Sequence, residues 1–125
     1  MRKIVEERIE MKKVHYYLWI ILFTGSFSPA YAASFSCNAA KTQTEHTICN
    51  NRTLNDADVK MATTYYIIRK LVPMGTRSVI QEQQIKWLHL RDDCRDNVGC
   101  LTDVYKMRQQ KLDQYMNRVY QQGPF

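Results

Sequence analysis

The stretch from Gln84 to Leu112 constrains this chain more than any other. Gln84, Trp87, Arg91 and Cys94 recur at steps of three and four, and Leu101, Tyr105, Arg108 and Leu112 do the same after Cys100. Each set falls on one face of a helix. The residues between the cysteines, Arg95-Asp96-Asn97-Val98-Gly99, are polar or small and include an Asn and a Gly, the composition of a turn. Two antiparallel helices are therefore expected, meeting at Cys94 and Cys100. One Trp, one Tyr and two Arg face into this hairpin, and the rest of the domain packs against it.

The chain opens differently. Met11-Lys12-Lys13-Val14 starts a short basic segment, Leu18 to Phe23 is apolar, Ser28-Pro29 breaks the run, and Ala30-Tyr31-Ala32 is a small-x-small cleavage site. That order predicts a signal peptide over residues 1–32. The apolar run is too short to span a bilayer, so no stable membrane anchor is expected. Glu6, Glu7 and Glu10 are unusual in a basic leader, which makes Met11 a candidate start. Ser34-Phe35-Ser36 lacks the pattern that would mark Cys37 for lipid attachment. The expectation is a soluble periplasmic or secreted protein over residues 33–125.

Those 93 residues suffice for one domain with a small core, so an added restraint is expected. They carry 13 Lys plus Arg against 9 Asp plus Glu, with no run of one sign. A formal charge of +4 scattered in this way does not point to nucleic acid. All four cysteines, Cys37, Cys49, Cys94 and Cys100, lie in this part, which predicts two disulfides in an oxidising compartment. Each would add about 2–3 kcal/mol by restricting the unfolded chain. Closeness in sequence favours Cys37–Cys49 and Cys94–Cys100. Cys49, Cys94 and Cys100 nevertheless fall at the same end of an up-and-down bundle, so cross-pairing stays open.

Residues 33–41 read as an irregular lead. Thr42-Gln43-Thr44-Glu45 matches a capping box, opening a short helix from about Thr44 to Asn50. Asn50-Asn51-Arg52-Thr53 reads as an interruption. Leu54, Ala57, Met61, Tyr65, Ile68 and Val72 then define a second helix, about Asn55 to Leu71. Pro73-Met74-Gly75-Thr76 reads as a loop. Ser78-Val79-Ile80-Gln81 is a second capping-box match, opening a third helix that runs to about Cys94. The fourth runs from about Cys100 to Gln121, before Gly123-Pro124. The fold class expected is all-α: a small antiparallel bundle of three long helices and a short N-terminal one, stapled by two disulfides.

In this order the residues resemble the lysozyme inhibitor LprI-type N-terminal domain family. The family pattern is a Cys, a Glu before Ile-Cys, a Leu-x-x-Leu-Asp-x-x-Leu-x-x-x-Tyr helix, then Gln-x-x-Trp-x-x-x-Arg-x-x-Cys and Cys-Leu-x-x-x-Tyr-x-x-Arg-x-x-x-Leu. Its slots hold Cys37, Glu45, Ile48-Cys49, Leu54, Ala57-Asp58, Met61 and Tyr65, then Gln84, Trp87, Arg91 and Cys94, then Cys100-Leu101, Tyr105, Arg108 and Leu112. Ala57 replaces a larger aliphatic, and this chain lacks the lipid-attachment pattern of the lipoprotein member. The resemblance implies an exported helical domain whose protein partner is a lysozyme. The alternative is a non-catalytic envelope accessory or virulence-associated factor that binds another protein or a lipid.

Tyr65, Trp87 and Tyr105 lie on inward stripes and read as core aromatics. Arg91 and Arg108 share those stripes. A covered Arg needs oxygen partners, and Asp58 and Glu45 are the acids on the inward side of the earlier helices. An internal ion-pair network of Glu45, Asp58, Arg91 and Arg108 is therefore expected, holding the helices in register. His46 and His89 stand near cysteines, but paired cysteines bind no metal, so neither a metal nor a cofactor is expected. With no free Cys and no activated Ser, no catalytic residue is expected either. The charges of the fourth helix, Lys106, Arg108, Lys111 and Arg118 with Asp103 and Asp113, read as a solvated face. An inhibitor must reach the acidic cleft of its target. Two connections qualify. Residues 73–77, with Met74, Arg77 and nearby Lys70, offer an adaptable thioether and a planar guanidinium fork. Residues 95–99 offer rigidity but include Asp96.

Overall fold

Capping side chains set where three of the four α-helices among the described residues begin. The structure, a computed structural model, describes residues 34–123. The expected signal peptide and the candidate start at Met11 lie outside the described residues. A short 3-10 turn over Cys37–Ala39 leads into helix α1, Gln43–Asn50. Thr42 Oγ1 accepts the Glu45 N–H at 3.1 Å, and Glu45 Oε2 accepts the Thr42 N–H at 3.1 Å, a complete capping box. Asn51 alone then separates α1 from α2, Arg52–Leu71. Its N–H caps the end of α1 on the Thr47 carbonyl, while its Oδ1 accepts the Leu54 N–H at 3.1 Å. One residue thus does what the sequence assigned to four.

The next connection corrects the expected loop at residues 73–76. Helix α3 runs Met74–Asp93, so only Val72 and Pro73 make the reversal. Val72 is extended, as a residue before proline tends to be, and the Pro73 carbonyl accepts the Arg77 N–H at 2.9 Å. Pro73 starts the helix instead of breaking it, because a ring that fixes φ is already set for the first turn. Ser78 is not the cap. Its hydroxyl donates to the Met74 carbonyl at 3.2 Å, inside a helix that has already begun. Helix α4, Val98–Gln121, also starts two residues before expectation, with Asn97 Oδ1 accepting the Cys100 N–H at 3.0 Å.

Side-chain bonds give the register. Trp87 Nε1 donates to the Val104 carbonyl at 3.0 Å and Tyr115 Oη to Gln83 Oε1 at 3.4 Å, so α3 and α4 run antiparallel. Tyr105 Oη reaches Asp58 at 2.8 Å and Gln109 Nε2 reaches Thr64 at 3.2 Å, so α2 runs parallel to α4. Helix α1 lies at the α3–α4 turn, where Gln43 Nε2 donates to Asp96 Oδ2 at 2.9 Å. Disulfides join Cys37 to Cys49 and Cys94 to Cys100, the two local pairings. The described domain is thus an all-helical bundle with two disulfides, a chemistry that belongs to an oxidising compartment.

The core runs the length of α2, α3 and α4. Ile48, Leu54, Ile68, Ile80, Leu101 and Leu112 are fully buried, and the Trp87 and Tyr105 rings meet edge to face at 5.1 Å. Leu101 follows Cys100 directly, so the staple holds a core residue in place. Leu101→Ala is expected to cost about 2–5 kcal/mol, the usual range for emptying such a site. In a domain this size that lowers the thermal midpoint by roughly 10 °C or more, followed by far-UV circular dichroism. An unchanged midpoint would remove Leu101 from the core.

Candidate functional site

Asp58 stands on the inward stripe of α2, between Leu54 and Met61, and none of its surface reaches solvent. One carboxylate oxygen accepts the Tyr105 hydroxyl at 2.8 Å, and the other accepts the Ser34 backbone N–H at 2.6 Å. A buried acceptor with two donors is satisfied without a cation. Burial raises the Tyr105 pKa, the Asp58 charge raises it further, and Arg91 nearby opposes both. The phenol is therefore neutral across the working pH range.

The four residues expected as one ion-pair network are not paired with one another. Arg91 donates through Nε and Nη2 to Asp92 Oδ1, the next residue, at 2.8 and 2.7 Å, and its guanidinium lies 5.8 Å from the centre of the Trp87 ring. Burial works against its charge, but Asp92 and the Tyr105 hydroxyl outweigh it, leaving the pKa raised. Arg108 is buried with neutral partners: Gln84 Oε1 at 2.9 Å and the Ile80 carbonyl at 3.4 Å. Burial lowers its pKa. Glu45 is spent on the start of α1, where the Lys41 and Thr42 N–H groups lower its pKa. Stripe position fixed the face each side chain occupies but not the partner its end would find. Unpaired N–H groups at the start of α1 and a carboxylate next in sequence were nearer.

The contact residues expected at the α2–α3 corner take a different form as well. Arg77 is no protruding finger. It sits in the first turn of α3, half-buried, with Nη2 directed at the Val72 carbonyl at 3.5 Å. Met74 is the exposed tip, at 78%. Lys70 is exposed on α2. Together with Tyr66 and Arg69, Lys70 and Arg77 line an open surface pocket of about 370 Å³. The sequence reading passed over Arg69. The available signal was its place four residues after Tyr65, which brings its guanidinium to 5.3 Å from that ring. At the other candidate connection, Arg95 takes a left-handed φ of 52° and Asp96 is engaged by Gln43.

His46 and His89 are both exposed, and among the described residues no three His, Cys, Asp or Glu side chains converge as a metal site would need. No helix of the described residues is long and apolar enough to cross a membrane. No protein-family model, curated protein or solved structure matches the chain. Functional assignment therefore rests on the geometry of the domain and on its residues.

The Asp58 hub makes two predictions. Tyr105→Phe leaves one buried oxygen short of a donor and is expected to cost about 1–3 kcal/mol. Asp58→Ala should cost more, because it removes the acceptor of both the phenol and the Ser34 N–H. Urea unfolding of both variants checks the order. The second concerns pH. A group whose pKa is raised by folding stabilises fully below its unfolded value, near 10.0 for Tyr105, and the contribution fades as pH rises past it. The wild-type midpoint should therefore fall above about pH 10 more steeply than that of Tyr105→Phe, in paired thermal scans.

Proposed function

We propose that this chain is an exported binding protein that blocks a cell-wall hydrolase of the lysozyme class, using the α2–α3 corner as its contact surface. Two disulfides together with the leader-like residues 1–32 support periplasmic or secreted placement. The observation that carries the reading is the charge at the corner. Arg69, Lys70 and Arg77 line one pocket, and among the described residues the ion pairs lie elsewhere, at Lys86–Glu82 and Arg91–Asp92. An acidic cleft is the complementary surface. Two long helices meeting at a two-residue reversal project Met74 and Pro73 outward as a blunt tip. Burial of Ile68, Val72 and Ile80 in the core holds the base of that tip in place before contact, which limits the entropy lost on binding. The resemblance to the LprI-type domains supports the same target class.

A second reading has its own observation. Tyr66, Ile67 and Leu71 are exposed beside the same cations, the mixture expected of an accessory protein that binds another protein or a lipid surface.

The assay is lysis of peptidoglycan by lysozyme in the presence of the oxidised protein. Inhibition is expected. Arg77→Glu should weaken it by about tenfold or more while leaving the circular dichroism spectrum intact, because reversing a charge opposite a carboxylate turns attraction into repulsion. Full inhibition by a folded Arg77→Glu variant would move the contact away from this corner. No inhibition by the wild type would favour the accessory role.

A further inference from the structure

The pocket between α2 and α3 is short of acceptors. Its walls are Tyr66, Arg69, Lys70 and Arg77, three of them cationic. Arg69 Nη2 reaches Gln81 Oε1 only at 3.4 Å, and Arg77 Nη2 reaches the Val72 carbonyl only at 3.5 Å. Both contacts are at the long limit for such bonds. The Nε atoms of Arg69 and Arg77 are buried and have no partner among the described residues. Buried donors are almost always satisfied, so two on adjacent guanidinium groups call for an explanation. The side chains are also held in place: Arg69 lies over the Tyr65 ring, and Tyr65 meets Tyr66 edge to face at 5.4 Å. Like charges are thus held together around a space with no counter-ion among the described residues.

We infer that the Tyr66–Arg69–Lys70–Arg77 pocket is a binding site for a phosphate group. Two planar forks and an ammonium bring three positive charges. A phosphate monoester carries nearly two negative charges and three acceptor oxygens, whereas a carboxylate carries one charge and two oxygens. The phosphate accepts from the terminal Nη atoms of Arg69 and Arg77, whose contacts within the chain are long, and the Nε signals of the same guanidinium groups report its arrival. Lys70 supplies a mobile charge at the mouth, and the exposed Tyr66 is positioned to flank the ester group. The site shares the α2–α3 corner with the proposed contact surface, but its test reads the pocket alone, so a protein that fails to inhibit lysozyme can still bind phosphate here.

The experiment is a titration of the oxidised protein with inorganic phosphate at constant ionic strength, chloride being the balancing anion. The Nε–Hε signals of Arg69 and Arg77 are followed by nitrogen-15 nuclear magnetic resonance. Saturable shifts of both signals are expected. Arg77→Gln should weaken binding by about tenfold or more, and Arg118→Gln, outside the pocket, should leave it unchanged. Acetate should bind more weakly than phosphate. Sedimentation with vesicles containing phosphatidic acid, whose headgroup is a phosphate monoester, against phosphatidylglycerol vesicles, whose phosphate is a diester, then separates the sources. Wild-type binding that Arg77→Gln loses assigns the phosphate to a lipid headgroup. Saturable phosphate shifts without vesicle binding assign it to a soluble ligand. Shifts that never saturate, equal binding of acetate, or equal loss in Arg118→Gln would overturn the site.

Discussion

The fold depends on one buried acceptor. Asp58 lies at the centre of a small bundle, and its two oxygens are claimed by parts of the chain far apart in sequence: the phenol of α4 and the backbone N–H of Ser34. An isolated carboxyl in that place would be costly, and an apolar side chain would accept neither donor. The arrangement ties α2 to α4 and draws the N-terminal lead onto the bundle at the same point. Direction comes with it. Hydrophobic burial would accept several registers of two amphipathic helices, but only one brings a phenol to this carboxylate.

The disulfides act locally around that hub. Cys37–Cys49 closes the lead onto α1, and Cys94–Cys100 closes the α3–α4 turn, each spanning few residues. Short loops restrict the unfolded chain less than long ones, so their value lies as much in where they sit as in the entropy they remove. Leu101 is fully buried one residue after Cys100, and Trp87 donates to the Val104 carbonyl one turn later. The second staple thus fixes the end of α4 from which its core contacts begin. Arg95 accepts a left-handed backbone in that turn, a strained conformation that the surrounding caps and disulfide hold in place.

Periodicity made most of this legible in advance. The stripes through Leu54, Met61 and Tyr65, through Gln84, Trp87 and Arg91, and through Leu101, Tyr105 and Leu112 placed the buried faces, because burial follows helical geometry directly. The Thr42–Glu45 capping box gave the start of α1 for a similar reason: its bonds are local. Pro73-Met74-Gly75 was misread because two residues that end helices stood close together, while the proline opened one. Polar partners were the least legible part. A carboxylate can be satisfied by a cation, a phenol or a backbone N–H, and the sequence ranks the cation first on charge alone. In the structure distance decides, so Asp58 took neutral donors and Arg91 took its sequence neighbour.

The arginines show why that distinction matters for function. Arg108 is almost wholly buried without an acid, yet a side-chain amide and a backbone carbonyl meet its Nε and one terminal nitrogen in the interior. Its charge is costly, as the lowered pKa records, but it is committed to the contact between α3 and α4. Arg69 and Arg77 are half-buried at a surface pocket, and each keeps a buried Nε with nothing to donate to among the described residues. Removing Arg108 would therefore disturb the packing first. Removing Arg77 would cost the fold little, since its one contact is long, and would be felt by whatever anion enters from outside. Net charge does not separate the two cases. Committed and uncommitted donors do, and the uncommitted ones lie together at the α2–α3 corner.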